Sequence, residues 1–532
     1  MKTSFDRILL MAYVLAVIAI WPFLYPYVNN PDSFQYIGIA RHLLEGRMLE
    51  GVNGYWSPLL SWMLMPFLQL TKNSIIGFKL LQTSIGAVGL MIWSRLCDKA
   101  IGQNSVSKWL KLAAIPLLIC QAMLTLTADL LFTVGLLGLV LFFLHRPVWN
   151  NRRRSLQAGL FGGLLYLSKA FGLPFFLSFA LFTFFHHRRT VTEATWKNLG
   201  SGLAVFVVIC AGWISCISFK YGRFTISEAA NYNSTTEVIS KPGEVVLLPI
   251  LYEDRLVAPA GEHALSAWEE PLQSAPQSEL KPFRIRDDFQ RWLQNTRRNF
   301  LSIWYFDFKR QAGMMFLLLL SLSFLFRLTP SWRDPIFLYP MLAVLLIYIG
   351  YGFILYHARY SWACNYLLLL VGAAMAGRSQ AGSRWMRIAF AVMVLLAIKR
   401  PLKEILYSYD KDVSAYRLMY DSFHFRKTLS ETYRDDFRVF RASASLDCLD
   451  GPFASRFTAE NERPRYFSSL LLADRFRQRY FGQVDDRRDG SMSELKNAGV
   501  RYLVIWDSGS DVDLPGASLA CSAEGMTVYR LK

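Results

Sequence analysis

Along the first 400 positions one pattern dominates: an apolar run of about 15 to 23 residues, a short polar joint, then another apolar run. The runs fall at 7–27, 75–94, 108–124, 130–145, 155–168, 171–186, 198–219, 312–328, 335–356, 360–377 and 385–399. With a turn of extension or some tilt, each can cross a hydrocarbon core of roughly 30 Å as a helix. Buried core helices of a large soluble protein are the alternative, and such helices do not recur with short basic joints between them. The pattern predicts a mostly α fold, a polytopic membrane bundle of about 11 transmembrane helices plus juxtamembrane helices.

The joints set the orientation. Arg95, Lys99, Lys108 and Lys111 form one; Arg146 with Arg152, Arg153 and Arg154 form the strongest. Arg188, Arg189 and Lys197 follow, then Arg327 and Arg333, then Arg378, Arg384 and Arg387. Placing all of them inside, with Lys2 and Arg7, satisfies the positive-inside rule. That holds only if 57–70, "SPLLSWMLMPFLQL", does not cross. About 14 helical residues reach only ~21 Å, and Pro58 and Pro66 bracket the stretch, so it reads as a juxtamembrane or re-entrant helix on the outer face. The N-terminus is then cytoplasmic and the C-terminus outside. The first run has the charge pattern of a signal sequence, yet no small-x-small cleavage site follows, so it reads as an uncleaved first span.

The chain has 532 residues, 53% of them apolar, and a net charge of +18. A soluble protein is excluded on apolar content. The positive charge points away from nucleic acid, because it sits in topogenic loops between apolar runs. Of seven cysteines, Cys97, Cys120, Cys210, Cys216 and Cys364 lie in or beside apolar runs, as small hydrophobes do. Cys448 and Cys521 lie in the polar tail; a disulfide and two free thiols both remain open.

The bundle domain, 1–400, carries outer loops 28–74 and 220–310. The insert 220–310 is rich in Glu, Pro and Ser, and its 283–300 stretch, "FRIRDDFQRWLQNTRRNF", has the spacing of an amphipathic interfacial helix. Residues 401–532 read as a small soluble extracytoplasmic α/β domain. Residues 413–434 and 466–481 have helical spacing and "FRVFRAS" alternates like a strand. "SMSELKNAGVRYLVIWDS" is a helix-to-strand unit, with Ser491 and Glu494 as a capping box, Gly499 as a C-terminal cap and a buried strand from Val500 to Ile505. "MTVYRLK" closes the domain as a strand.

Against this frame the ionisable residues at span ends stand out, since such groups near an apolar core are costly. Asp32 follows the first span, Asp129 in "LTLTADLLF" and Lys169 in "YLSKAFGLPFF" sit at outer turns, and His357 and Arg359 in "YHARYSW" sit at a later one. Asp32 and Asp129 also suit the N-caps of their helices, and Lys169 and Arg359 suit snorkelling anchors. Their common placement, two carboxylates with two or three cations on one face, favours chemistry. A lipid-phosphate-linked sugar presents a good leaving group there. Its phosphate needs cationic partners as charge develops, and the incoming hydroxyl needs a general base. Tyr36 and Arg41 in "PDSFQYIGIARHLLEGR", with Tyr55 and Trp56, complete the candidate substrate loop.

The order of these motifs resembles that of the GT-C superfamily of integral-membrane glycosyltransferases, in the branch holding lipid A aminoarabinose transferase and the protein O-mannosyltransferases. The match runs through "PDSFQYIGIARHLLEGR", "GYWSPLLSWMLMPFLQL", "TADLLF", "LSKAFGLPFF" and "HARYSW", about residues 1–400. The resemblance implies a polyprenyl-phosphate monosaccharide donor and a periplasmic or lumenal active site. It implies that Asp32 is the first-loop catalytic Asp, Asp129 the second acidic position, acting on acceptor or cation, and Lys169 the donor-phosphate Lys. Arg359 with Tyr360 corresponds to the late "RY" motif, and Pro58 to one proline of a juxtamembrane "PPL" helix. Here the last stretch is "YWSPLL", with one proline and no charge, and Lys169 precedes Ala170 rather than Gly. Metal dependence varies in the family; no His/Asp cluster marks a tight site, and a divalent cation is the one cofactor left open.

The expected protein is thus an inverting glycosyltransferase of a bacterial inner membrane, with Asp32 as base, and Lys169, Arg359 and His357 on the donor phosphate. Its acceptor is a glycan, lipid or protein. Two rivals remain. A polymerase or ligase would use a polyprenyl-diphosphate donor. A lipid-linked sugar transporter or flippase would show internal repeats or broken mid-membrane helices, and none is evident.

Overall fold

The computed structural model describes residues 4–24, 30, 32–71, 73–190, 194–229, 232–233, 258–274, 285–309, 316, 334–378, 384–409, 448–449, 451–456, 473–474, 477–484, 495–506, 516–523 and 526–531. Within them the apolar runs are helices. They are α1 (Ser4–Leu24), α5 (Ser74–Ile101), α6 (Ser105–Leu124), α7 (Ala128–His145), α8 (Arg152–Ser168), α9 (Gly172–Thr190), α10 (Trp196–Tyr221), α12 (Pro335–Phe353), α13 (Trp362–Arg378) and α14 (Arg384–Tyr409). Between them lie α2 (Asp32–Leu44), α3 (Met48–Gly51), α4 (Pro58–Leu70) and α11 (Ile285–Ile303). Six of the helices, α1, α5, α6, α7, α10 and α12, are long and apolar enough to cross a membrane. The run at 312–328 lies outside the described residues. Helix α14 continues to Tyr409, past the expected domain boundary at 400.

Short polar residues start these helices. Asn73 accepts from the Ile75 and Ile76 amides, Asn104 from Ser107, Thr127 from Asp129, Asn151 from Arg154, and Asp334 from Ile336. Each satisfies amides that a helix start leaves without partners, worth ~1 kcal/mol per cap. The stretch at 57–70 forms α4, whose 13 residues lie against α2; there Ser61 Oγ donates to the Tyr36 carbonyl at 3.1 Å. The expected amphipathic helix at 283–300 is α11, whose Trp292 indole and Asn299 amide bind carbonyls at the C-terminal end of α12.

The C-terminal part is a five-stranded sheet of β1 (Phe453–Arg456), β2 (Tyr480–Val484), β3 (Tyr502–Trp506), β4 (Ala517–Ala523) and β5 (Met526–Leu531), in the order β2-β1-β3-β5-β4. β1 runs parallel to β2 and β3, and β5 is antiparallel to β3 and β4. The two strands expected at 500–505 and 526–532 are β3 and β5. Gly499, at φ 80°, ends the preceding helical turn as expected. The helix expected over 466–481 is a correction: among the described residues only 473–474 are helical, and Tyr480 already begins β2. The capping box and the elements at 413–434 and "FRVFRAS" lie outside the described residues.

Alternation along β3 divides the sheet between two cores. Leu503 and Ile505 join Ala454, Phe481 and Tyr529 in a small apolar cluster, while Tyr502 and Val504 face the main core that continues into the bundle. Cys448 and Cys521 are disulfide-bonded, with Cα atoms 6.1 Å apart, which settles the open alternative. Asp474 anchors this part to the outer loop: it takes Arg41 Nη1 at 2.5 Å and Ser74 Oγ at 2.5 Å.

Candidate active site

Four charged side chains, up to 327 positions apart in sequence, converge beyond the ends of α7 and α8. Each is aimed by its local backbone. Asp32 opens α2, yet the cap is Asn30, whose Oδ1 accepts from the Asp32 amide at 2.9 Å. The Asp32 carboxylate is therefore not spent on its own helix. Its Oδ2 takes Arg359 Nη2 at 2.7 Å and its Oδ1 takes the Trp268 indole N–H at 3.1 Å. The same division holds at Asp129. Thr127 is the N-cap of α7 and donates to Asp129 Oδ2 at 2.8 Å. The Asp129 carboxylate binds the Lys169 ammonium and lies 3.3 Å from Arg359 Nε.

Lys169 projects from the tight turn joining α8 to α9. The Gly172 amide donates to the Lys169 carbonyl at 2.7 Å, and Gly172 rests against the Leu165 backbone, where a Cβ would have no room. The ammonium stands 3.5 Å from the Tyr360 ring centroid and 5.2 Å from that of Tyr351, a pairing worth about 1–2 kcal/mol when desolvated. Burial pulls its pKa down to about 8, against the pull of the Asp129 carboxylate.

Arg359 lies on the single 3-10 turn Ala358–Ser361. That turn is tied down by side chains. Ser361 Oγ donates to the Ala358 carbonyl at 3.0 Å, and Tyr356 OH sits 3.0 Å from Ser361 Oγ while donating to Asp307 Oδ2 at 2.8 Å. Asp307 is fully buried on the π-helical turn Trp304–Lys309, an element frequent at functional sites. His357 opens the same turn with its ring edge against Tyr360. Burial, then the charges of Arg359 and Lys169, lower its pKa to about 3. Its ring is thereby held neutral, so among the described residues the cluster's charged groups are two acids and two cations.

The remaining sequence candidates divide. Tyr36 packs edge-on to Trp56, and burial with the Asp129 and Asp32 charges pushes its pKa up, so it keeps its proton as a donor. Tyr55 and Trp56 form an Asx turn on Asn53 Oδ1, 2.9 Å from both amides, and pack on Trp268. Arg41 is a correction: it is engaged by Asp474 rather than by the cluster, because it lies near the C-terminal end of α2, where the docked sheet supplies a carboxylate. Sequence reasoning missed Trp268, Asp307 and Tyr351. The signals were faint: a Trp before paired acids in "SAWEEPL", and an Asp inside the aromatic run "WYFDF".

Among the described residues no group of three or more His, Cys, Asp or Glu side chains could hold a metal ion. A divalent cation between Asp32 and Asp129 would meet Arg359 and Lys169, so these residues do not fit one. What the arrangement can do is different. It offers an anionic group two competing cations on an aromatic floor, beside a carboxylate held by only two donors.

The cluster is drawn from loops and first turns between long apolar helices, and the chain has the GT-C fold. It matches ArnT from Cupriavidus metallidurans bound to undecaprenyl phosphate at a TM-score of 0.54 and 12% identity, over 98% of this chain and 97% of that one. The apo form of the same ArnT matches at 0.53 and 12%, with the same coverage. The apo oligosaccharyltransferase of Archaeoglobus fulgidus follows at 0.45 and 12%, over 94% of this chain and 70% of that one. No family model matches the sequence, and no curated protein matches it. The fold and the apolar helices make this chain an integral membrane protein.

Proposed function

We propose that the protein transfers a monosaccharide from a polyprenyl-phosphate donor to an acceptor hydroxyl, at the outer face of a bacterial inner membrane. The observation that carries this reading is the convergence of Asp32, Asp129, Lys169 and Arg359 on a fold shared with a protein that binds undecaprenyl phosphate. In this reading the donor phosphate takes Lys169 and Arg359 from their carboxylates. The acceptor oxygen attacks the anomeric carbon, the bond from that carbon to the phosphate oxygen breaks, and its electron pair leaves with the phosphate. Lys169 and Arg359 stabilise the charge that develops there. The hydroxyl proton passes to Asp32, and a single displacement inverts the configuration. Asp129 keeps Lys169 charged and aimed. Tyr36, His357 and the Tyr55–Trp56 turn shape the donor's surroundings. The eleven-span topology, with N-terminus inside and the sheet domain outside, belongs to the same reading.

The test uses the full chain in lipid nanodiscs with a panel of synthetic undecaprenyl-phosphate hexoses and pentoses and cell-envelope fractions as acceptor source. Release of undecaprenyl phosphate should depend on acceptor. Asp32→Asn should lower it by about 10²–10⁴-fold while the protein still binds undecaprenyl phosphate. Full turnover by that variant sinks the role of Asp32, and inactivity of the wild type with every monophosphate donor sinks the donor class.

A further inference from the structure

We infer that the C-terminal sheet domain is a positioning device for Asp32, working through a strap at residues 264–274 whose Trp268 indole holds the carboxylate. The inference rests on the reading of Asp32 as the base. It gives a role to the C-terminal domain, none of whose described residues places a charged group in the cluster.

The strap belongs to the polar insert and is fastened on one side to α2 and the turn after it. Glu269 Oε1 lies 2.6 Å from His42 Nε2, and Asn53 Nδ2 donates to the Glu269 carbonyl at 2.7 Å. The Trp56 indole donates to the Trp268 carbonyl at 3.1 Å. Gly38 lets this happen: a Cβ there would sit 2.7 Å from Glu269 Oε2. Farther on, Lys220 binds Glu270. With Glu269 and Trp56 both fixed, Trp268 is delivered to Asp32.

On its other side the strap is held by the sheet. β2 is an edge strand, and its open edge is taken by the strap: the Tyr480 amide donates to the Leu265 carbonyl at 2.9 Å, and Ser266 pairs with Tyr480 as a parallel bridge. Arg479 Nη2 donates to the Pro259 carbonyl at 3.1 Å. The same domain grips α2 directly, through Asp474 on Arg41 and Arg477 on Glu45 at 3.2 Å. Helix α2 is thus held near both ends by elements anchored in the C-terminal sheet.

A carboxylate offers about four acceptor positions. Arg359 and Trp268 take two, one on each oxygen; once the donor phosphate draws Arg359 away, the Trp268 indole still holds Oδ1 and the Oδ2 side is open to an acceptor hydroxyl. Trp268→Phe keeps the ring and deletes only the N–H. In nanodiscs, with whichever undecaprenyl-phosphate sugar supports turnover, its kcat should fall about 10-fold at unchanged donor KM. Asp474→Ala should raise amide hydrogen exchange across 258–274 and 32–38 without altering undecaprenyl-phosphate binding.

An unchanged kcat in Trp268→Phe, or a kcat loss matched by a change in donor KM, overturns the positioning role. Unchanged exchange in Asp474→Ala overturns the part assigned to the domain, and that measurement needs no turnover. Activity retained in Asp32→Asn removes the base reading instead, so the two failures are told apart.

Discussion

Two buried clusters of acids and bases lie near helix ends in this chain, and their contrast separates structure from chemistry. One consists of Asp6, Ser94, Asp98 and Lys111. There Ser94 Oγ donates to Asp6 at 2.6 Å, and Lys111 donates to Asp98 at 2.7 Å with Asp6 3.9 Å away. It joins α1, α5 and α6, and its strongest pair stands only 13 positions apart. The other consists of Asp32, Asp129, Lys169 and Arg359. All four sit on loops or first turns, the central pair is 327 positions apart, and tyrosines floor the cations. The first cluster stitches neighbouring helices, with Lys111 reaching two acids. The second pairs two cations with two acids, so an incoming anion can compete with the carboxylates for both cations.

The sharpest way to break this comparison is to remove the lysine from each cluster. Lys169→Met should lower transfer by about 10²–10³-fold, the scale of losing one group aimed at a developing anion. It should also weaken undecaprenyl-phosphate binding, read by titration in nanodiscs, with little change in thermal midpoint because Arg359 still faces Asp129. In the wild type the same binding should fade as pH rises through about 8, since Lys169 is charged only below that value. Lys111→Met should do the reverse. It takes the Lys111 ammonium away from Asp98 and from the neighbourhood of Asp6, at a cost of ~2–3 kcal/mol, reduced from a fully buried pair because Asp98 remains one-fifth exposed. Its midpoint should drop while the turnover of the folded fraction stays as in the wild type. Equal loss of turnover in both variants erases the distinction.

The same contrast explains what could be read from the chain. Spans such as 75–94 and 130–145 were legible because burial in lipid writes a long apolar run. Asp129 and Lys169 drew notice because they share a face with Asp32 and Arg359 at span ends, although each alone also suits a helix cap or a snorkelling anchor. His357 read as a cation because sequence shows residue type but not the burial that strips its proton. Arg41 read as a substrate contact because nothing local marks Asp474, some 433 positions on, as its partner. Trp268 and Asp307 were illegible for the same reason. A residue that acts on a site through long-range packing leaves no periodicity in its own neighbourhood.

Asp307 offers a smaller test of the long-range cluster. Tyr356→Phe removes the hydroxyl that joins Asp307 to Ser361 and so loosens the turn carrying Arg359. The expected loss is about 10-fold in turnover, the size of one hydrogen bond to a charged group. Donor KM should rise with it, because the proposed function makes Arg359 the phosphate ligand on that turn. A loss confined to thermal midpoint would place Tyr356 with the stitching contacts instead.

The smallest effect concerns the rim, where a third acid–base group connects the clustered site to the sheet domain. His42 is buried, which lowers its pKa, but the hydrogen bond and charge of Glu269, helped by Glu50, outweigh that and the opposing Arg47, so its pKa is raised. The groups facing it are Glu269 on the strap and Arg47 and Glu50 beside α2, with Glu50 also 2.9 Å from His263. A raised pKa in the docked state means protonation favours docking. That contribution is complete below the ordinary histidine value of about 6.5 and is lost as pH rises through the raised one. Amide exchange across 258–274, corrected for its intrinsic pH dependence, should therefore be slowest in mildly acidic buffer and speed up on the alkaline side. His42→Gln keeps a hydrogen-bond donor for Glu269 but cannot titrate. It should flatten the profile, while a profile unchanged in that variant would overturn the role of His42.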